Sequence, residues 1–153
     1  DKNYKNIINR KISVMTEVIA KCCIKKAKIV KRDEKESNMR MLLNLGHTFA
    51  HAIEKELDYK IKHGEAVSVG LLMAAKLSTL LGKIKHNNYN LIENHLKKFK
   101  LPTRLKCLNS KKGWKLENLV KNMNYDKKKE DEKIKFILLS DIGKSFIETN
   151  ICS

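Results

Sequence analysis

Four residues able to bind a ligand or transfer a proton recur at helical spacing between residues 40 and 51. They are Arg40, Asn44, His47 and His51. In one continuous helix, with about 100° between successive residues, they fall inside a wedge of about 60°. Almost every other side chain from residue 41 to residue 53 is apolar, which predicts a buried helix. A buried polar stripe has to face a partner and not water, so we expect this face to form a site.

A third imidazole follows in the segment His63-Gly64-Glu65, at the predicted start of a second buried helix. Two histidines at i and i+4, with a third nearby, are a ligand set that suits a divalent metal such as zinc. On residue types alone, the three ligands would be His47, His51 and His63. The metalloprotease pattern H-E-x-x-H is not met, because Thr48 occupies the position of its glutamate. Core histidines bonded to backbone carbonyls are the alternative, and four polar residues on one face make it the weaker one.

Apolar periodicity predicts the elements that must position these residues. We expect amphipathic or buried helices over residues 6–30, 40–57, 64–81, 87–99 and 114–123. Gly82 is a suitable stop for the helix over 64–81. From residue 134 to residue 149, two strand-like stretches flank a turn at 141–143 and predict a small β-hairpin. The fold class is therefore mainly α, a multi-helix domain with a β-hairpin near the C-terminus.

The 153 residues are enough for one domain with its own core, and no long linker divides residues 1–153. No run of about 18 apolar residues predicts a membrane helix, and the first residues lack the layout of a signal peptide. We therefore expect a soluble, cytoplasmic chain without membrane association. Four cysteines, at positions 22, 23, 107 and 152, form no C-x-x-C pair, and we expect reduced packing thiols.

The formal net charge of +16 raises nucleic acids and anionic substrates as binding partners. The excess is almost entirely lysine scattered among asparagines, and aromatic residues make up only 6% of the chain. This pattern is typical of a compositional bias, so a basic helical nucleic-acid-binding domain is only a distant alternative. No strand is followed by G-x-G-x-x-G, so a nucleotide used by the chemistry would bind to another segment.

Several longer motifs occur together and in order along the chain. They are C-C-I-K-K-A-K-I-V at 22–30, D-E-K-E at 33–36, L-N-L-G-H-T-F-A-H-A-I-E at 43–54, H-G-E-A-V-S-V-G-L at 63–71 and D-K-K at 126–128. With these motifs the chain closely resembles the helical C-terminal domain of the 3-dehydroquinate synthase family, over nearly its whole length. Members usually carry glycine where this chain has Ala50, a departure that costs little in a helix.

The resemblance implies a step of the shikimate pathway, which leads to the aromatic amino acids. Enzymes of this family convert 3-deoxy-D-arabino-heptulosonate 7-phosphate into 3-dehydroquinate and phosphate, with tightly held NAD⁺ and a zinc ion or another divalent metal such as cobalt. The NAD is implied to bind to an N-terminal α/β domain, which is absent from this chain. We therefore expect the chain by itself to be inactive.

Carried over position by position, the resemblance assigns His47 and His63 as metal ligands. The third ligand in the family is an upstream glutamate outside this chain, and Glu17 is out of register for that role. His51 then becomes a residue for substrate binding and proton transfer, in place of the third metal ligand considered above. An imidazole titrates near neutral pH and can hydrogen-bond a phosphate, which suits that role.

The resemblance assigns six further residues to substrate binding or proton transfer, namely Lys26, Glu36, Arg40, Asn44, Lys127 and Lys128. Arg40 offers a planar fork for a carboxylate or phosphate, and Asn44 can donate to and accept from hydroxyl groups. Lys26 matches a substrate-contacting lysine, and Glu36 matches a carboxylate that accepts a proton. One lysine of the D-K-K motif is expected to reach the phosphate, and the sequence leaves open which.

The same motifs leave related functions as alternatives. Other NAD- and metal-dependent sugar-phosphate cyclases, and the more distant metal-dependent alcohol dehydrogenases, carry a similar H-x-x-x-H segment followed by H-G. Lys26, Arg40, Asn44 and the D-K-K motif favour the shikimate enzyme. The resemblance also implies a homodimer, and it leaves open whether this chain is one domain of a multifunctional shikimate-pathway protein or a separate polypeptide.

Overall fold

The computed structural model describes residues 2–35, 39–108, 113–125 and 134–151. The chain divides into two compact units, one over residues 1–43 and the other over residues 44–153. The described elements are six α-helices, two short 3₁₀ helices and two strands, which confirms the predicted mainly helical class with its C-terminal hairpin. Within the described residues, no helix combines the length and apolar character that crossing a membrane requires.

The first unit contains helix α1 (Tyr4–Ile8) and helix α2 (Ile12–Arg32). A single helix over residues 6–30 was predicted, and this prediction is wrong because the chain breaks between the two helices. Arg10 adopts a left-handed conformation with φ of 53°, and the amides of Arg10 and Lys11 donate to the carbonyls of Ile7 and Asn6. These hydrogen bonds close the end of α1 as in a Schellman motif, where glycine is the usual residue. No residue of α2 is buried.

The central segment differs from the predicted continuous helix over 40–57. Residues Arg40–Asn44 form a 3₁₀ helix, and helix α3 begins only at His47 and ends at Glu56. Between them Gly46 has φ of +80°, which interrupts the helical hydrogen-bond ladder. The predicted sharing of one helix face by Arg40, Asn44, His47 and His51 is therefore wrong.

The remaining elements of the second unit follow the predicted pattern closely. They are α4 (His63–Leu80), α5 (His86–Lys98), a 3₁₀ helix (Leu105–Cys107), α6 (Leu116–Tyr125), β1 (Phe136–Asp141) and β2 (Lys144–Glu148). Gly82 follows α4 with φ of +67° and so marks the predicted stop. The two strands pair antiparallel, with Leu138 opposite Phe146.

The core lies where α3 and α4 pack together and against α6 and the hairpin. One cluster joins Ala50, Ile53, Val69 and Leu119, and a second joins Phe49 and Ala74 with residues of β1. Small side chains in both helices let their backbones come close. The two helices run in opposite directions, because Gly46 lies against Gly70 whereas Glu54 contacts His63.

A buried serine ties β1 to this helical core. Ser78 is fully buried, its hydroxyl donates to the carbonyl of Ala74 at 2.7 Å, and it accepts from the backbone amide of Leu139 at 2.9 Å. The hydroxyl thus satisfies a buried strand amide, a group that is costly to leave unpaired. The hairpin is held on α4 by a specific bond in addition to apolar packing.

The cysteines that the structure describes do not serve as packing residues, contrary to the prediction. Cys22, Cys23 and Cys107 are all unpaired and exposed. The fourth, Cys152, lies outside the described residues.

Candidate metal and substrate site

Three histidines of the second unit come together at the start of α3 and α4. His47 is the first residue of α3, His51 follows one turn later, and His63 is the first residue of α4. The ring centroid of His47 lies 5.3 Å from that of His63 and 5.6 Å from that of His51, and the remaining pair is 6.4 Å apart. The fold therefore brings together three residues that the sequence separates by up to sixteen positions.

The position of His47 depends on a close crossing of the two helices. A Cβ atom on Gly70 would lie 2.3 Å from the carbonyl oxygen of Gly46, and one on Gly46 would lie 2.5 Å from the amide nitrogen of Leu71. Only glycine fits at both places, since the atoms it would meet belong to backbone and cannot swing away. The left-handed Gly46 turns the chain into α3 and so places His47 beside α4.

His63 and His47 each have the Nδ1 atom of the ring engaged by an oxygen. The Nδ1 of His63 lies 2.9 Å from Oε1 of Glu54, and the Nδ1 of His47 lies 3.4 Å from the carbonyl oxygen of Leu45. An ionised carboxylate and a carbonyl only accept hydrogen bonds, so each Nδ1 carries the proton and donates. When such a ring is neutral, its Nε2 atom keeps the lone pair, which is the arrangement usual for histidines that bind a metal.

The surroundings of His47 favour the neutral form of its imidazole. Burial lowers the pKa of His47 below its ordinary value, and the charged forms of His51 and His63 lower the pKa further. The hydrogen bond to Leu45 and the carboxylate of Glu54 act in the opposite direction without reversing the shift. A lowered pKa favours the neutral imidazole, the form that donates electrons to a metal.

The three histidines and Asn44 are more exposed to solvent than the sequence predicted. His47 is half-buried, whereas Asn44, His51 and His63 are exposed, and the side chain of His63 is 58% exposed. The buried residues of α3 are instead Phe49, Ala50, Ala52, Ile53 and Glu54. The prediction that His63 starts a helix in a buried position is therefore wrong for this chain.

Two further predicted site residues, Arg40 and Lys26, lie in the first unit. The guanidinium of Arg40 donates from Nη1 to the carbonyl of Glu34 at 3.0 Å, and its backbone amide donates to a carboxylate oxygen of Asp33 at 2.9 Å. Lys26 is exposed on α2. Their assignment to the substrate stays a prediction.

Three predicted site residues are not covered by the structure. Glu36, Lys127 and Lys128 lie outside the described residues, so their roles also stay predictions. Across the described ranges, no three or more histidine, cysteine or carboxylate side chains are arranged to hold a metal ion. The hypothesis of a metal site made of His47, His51 and His63 alone is therefore not supported.

Glu54 contacts one of the candidate site residues, and the sequence reasoning did not single it out. Its side chain is only 11% exposed, yet its carboxylate reaches the ring of His63. A signal was present, because Glu54 follows His51 by three positions and comes directly after the apolar segment Ala52-Ile53. The partner of that glutamate could not be read from the spacing.

Comparison with known proteins gives consistent matches along the chain. A family model described as 3-dehydroquinate synthase C-terminal matches residues 1–129. The 3-dehydroquinate synthase of Campylobacter jejuni subsp. jejuni is 42% identical over 139 residues, covering 90% of this chain and 38% of that protein. The 3-dehydroquinate synthase of Campylobacter hominis is 42% identical over 156 residues, covering 99% of this chain and 44% of that protein. The chain thus spans well under half the length of these curated relatives.

Solved structures show a similar fold at lower sequence identity. A 2-epi-5-epi-valiolone synthase from Streptomyces hygroscopicus, solved with NAD⁺ and Zn²⁺ bound, superposes with a TM-score of 0.67 at 17% identity, over 82% of this chain and 33% of that one. A 2-deoxy-scyllo-inosose synthase, complexed with carbaglucose-6-phosphate, NAD⁺ and Co²⁺, gives a TM-score of 0.61 at 24% identity, over 74% of this chain and 31% of that one.

Proposed function

Because the chain belongs to the 3-dehydroquinate synthase family, as a C-terminal domain, we propose that it is the metal- and substrate-binding part of a shikimate-pathway enzyme. The complete protein would convert 3-deoxy-D-arabino-heptulosonate 7-phosphate into 3-dehydroquinate and phosphate. Identity of 42% to curated 3-dehydroquinate synthases supports this reaction over that of other sugar-phosphate cyclases, to which the likeness is one of fold.

The observation that carries the proposal is the arrangement of His47 and His63. Their ring centroids are 5.3 Å apart, and each ring has its Nδ1 bound to an oxygen so that Nε2 is available. Two imidazoles that each present Nε2 are donors that zinc and cobalt accept readily. The donor set therefore fits a divalent cation held by these two residues and completed by a ligand from outside this chain.

A divalent cation and NAD would supply chemistry that the chain's own residues do not. The cation, held by His47 and His63, would polarise oxygen atoms of a substrate, and NAD would accept and return a hydride. In the solved relatives a cation and NAD⁺ occur together. We assign the NAD and the third metal ligand to an N-terminal α/β domain outside these 153 residues.

His51 is the residue we assign to proton transfer. It is exposed on α3, one turn beyond His47, and its ring lies 5.6 Å from that of His47. An exposed imidazole can exchange protons near neutral pH and hydrogen-bond a phosphate oxygen. His51 would bind the substrate phosphate and move a proton while His47 and His63 hold the cation. Glu36 is proposed as a second proton acceptor.

The other proposed substrate contacts are polar groups that match an acidic, hydroxylated sugar phosphate. Lys26 and Arg40 would neutralise carboxylate or phosphate charge, and Asn44 would bond to hydroxyl groups. Lys127 or Lys128 would reach the phosphate. We also propose that the complete protein is a cytoplasmic homodimer. It is either a separate polypeptide or one part of a multifunctional shikimate-pathway protein.

A turnover assay tests the reaction. The complete protein, supplied with NAD⁺ and Zn²⁺ or Co²⁺, is expected to release phosphate from the seven-carbon substrate and form 3-dehydroquinate in equal amounts. The 153 residues assayed alone are expected to release none, because we assign NAD binding to a segment outside them. Turnover of another sugar phosphate in place of the seven-carbon substrate would assign the protein to a different cyclase, and product from neither would reject the proposal.

A further inference from the structure

We propose that Glu54 is a positioning residue for the cation site, which orients His63 by accepting a hydrogen bond from its Nδ1. The carboxylate holds the ring in the tautomer that presents the Nε2 lone pair to the metal. This inference rests on the proposed function, because it concerns a cation held by His47 and His63. It assigns a role to a residue that would not itself touch the metal.

The geometry of the pair supports this role. The distance from Nδ1 of His63 to Oε1 of Glu54 is 2.9 Å, which is ideal for a hydrogen bond. Glu54 is itself buried on α3 next to the buried Ile53, whereas the side chain of His63 is 58% exposed at the first position of α4. A buried acceptor on α3 can therefore orient an exposed ring at the start of α4.

The burial of Glu54 points in the same direction. Its side chain is 11% exposed, and among the described residues no lysine or arginine forms an ion pair with it. A cation on Nε2 of His63 would place a positive charge one ring away from this buried carboxylate, with the imidazole between them. Carboxylate, histidine and metal in this order form a recurrent arrangement in proteins.

A purely structural role makes different predictions. If Glu54 served only to anchor the start of α4, its replacement would lower stability and leave the affinity for a cation unchanged in the folded protein. A role in orientation predicts a change in the tautomer of His63 and a weaker cation affinity, both measurable without turnover.

Glu65 offers a matched control. It lies two residues after His63 in the first turn of α4, and its side chain forms no hydrogen bond or ion pair with a histidine in the part of the chain that is described. Glu65→Gln therefore removes the same charge from the same neighbourhood without disturbing the Nδ1 bond.

The experiment compares Glu54→Ala, Glu54→Gln and Glu65→Gln in the complete protein. Titration calorimetry with Co²⁺ measures affinity, and ¹⁵N-histidine NMR of the metal-free protein reports the tautomer of His63. We expect Glu54→Ala to shift His63 from the Nδ1–H to the Nε2–H form and to weaken Co²⁺ binding about 10- to 100-fold. Glu54→Gln, which keeps an oxygen acceptor but loses the charge, should weaken binding about tenfold. Glu65→Gln should bind as the wild type does.

The outcomes separate this inference from the proposal on which it depends. Wild-type Co²⁺ affinity in a folded Glu54→Gln protein would overturn the role of Glu54, and that variant decides the matter if Glu54→Ala does not fold. His63→Ala, measured alongside, tests the metal site itself. If its affinity equals that of the wild type, the proposed site is rejected. If it loses Co²⁺ while the Glu54 variants do not, only the role of Glu54 is rejected.

Discussion

The carbonyl oxygen of Gly46 lies so close to Gly70 that a Cβ atom on Gly70 would be 2.3 Å from it. This contact joins the turn that begins α3 to the middle of α4, the helix that begins with His63. The two glycines therefore set the spacing of the helices that carry His47 and His63. Stability and cation binding should both depend on them.

Gly70→Ala is expected to lower the free energy of unfolding by about 1–3 kcal/mol, because the added methyl overlaps backbone that cannot move aside. Gly46→Ala should cost more, since it adds a cost of about 1–2 kcal/mol for the left-handed conformation to a similar overlap. Gly64→Ala is the control, because a Cβ there meets no atom within 4 Å. Gly64→Ala should leave the urea-unfolding midpoint unchanged or raise it slightly. Equal midpoints for all three variants would contradict the close contact between Gly46 and Gly70.

Replacing each of the three histidines by alanine should have different effects on the metal content of the protein. In the complete protein, His47→Ala and His63→Ala are expected to abolish binding of Zn²⁺ or Co²⁺, while His51→Ala retains the metal and slows turnover. Metal analysis of the purified variants, together with the phosphate-release assay, provides the measurement. An equal loss of metal from His51→Ala would restore the hypothesis of three histidine ligands.

Ser78→Ala is expected to destabilise the protein by about 1–3 kcal/mol, because it leaves the buried amide of Leu139 without an acceptor. Thr79→Ala serves as the control, since the hydroxyl of Thr79 donates within α4 to the carbonyl of Ala75 and, among the described residues, to no strand. Its effect should be much smaller in thermal unfolding. If both variants melt at the same temperature, the hydroxyl of Ser78 does not hold β1 on α4.

The lowered pKa of His47 predicts a pH dependence of stability. In the metal-free protein its NMR titration midpoint should lie below the ordinary value of about 6.5. The unfolded chain then binds this proton more readily than the folded one, so the free energy of unfolding should fall as the pH drops from about 6.5 through the folded midpoint. His47→Ala should remove that part of the dependence. A midpoint at or above 6.5 would show that burial does not dominate.

Much of the fold was predictable because the apolar pattern repeats locally. Helix α4 was predicted over 64–81 and occurs at His63–Leu80, and the hairpin turn was placed correctly. Gly82 correctly marked the end of α4, whereas the break at Gly46 inside the predicted helix over 40–57 was missed. Arg10, Asp58 and Lys100 adopt left-handed conformations too, and α1, α3 and α5 end there with the same hydrogen-bond pattern. These side chains give no such signal, so the break at Arg10 was missed.

The sequence by itself determined the type and spacing of the donor residues and, through the matched motifs, the family. Residue chemistry and helical period are local properties, and His47, His51 and His63 could be picked out from them. Only the tertiary structure decided that α3 starts at His47, that His63 is exposed, and that the buried Glu54 contacts the ring of His63. These features arise where segments distant along the chain meet, as Gly46 meets Gly70, and such contacts are not encoded in the period of either segment.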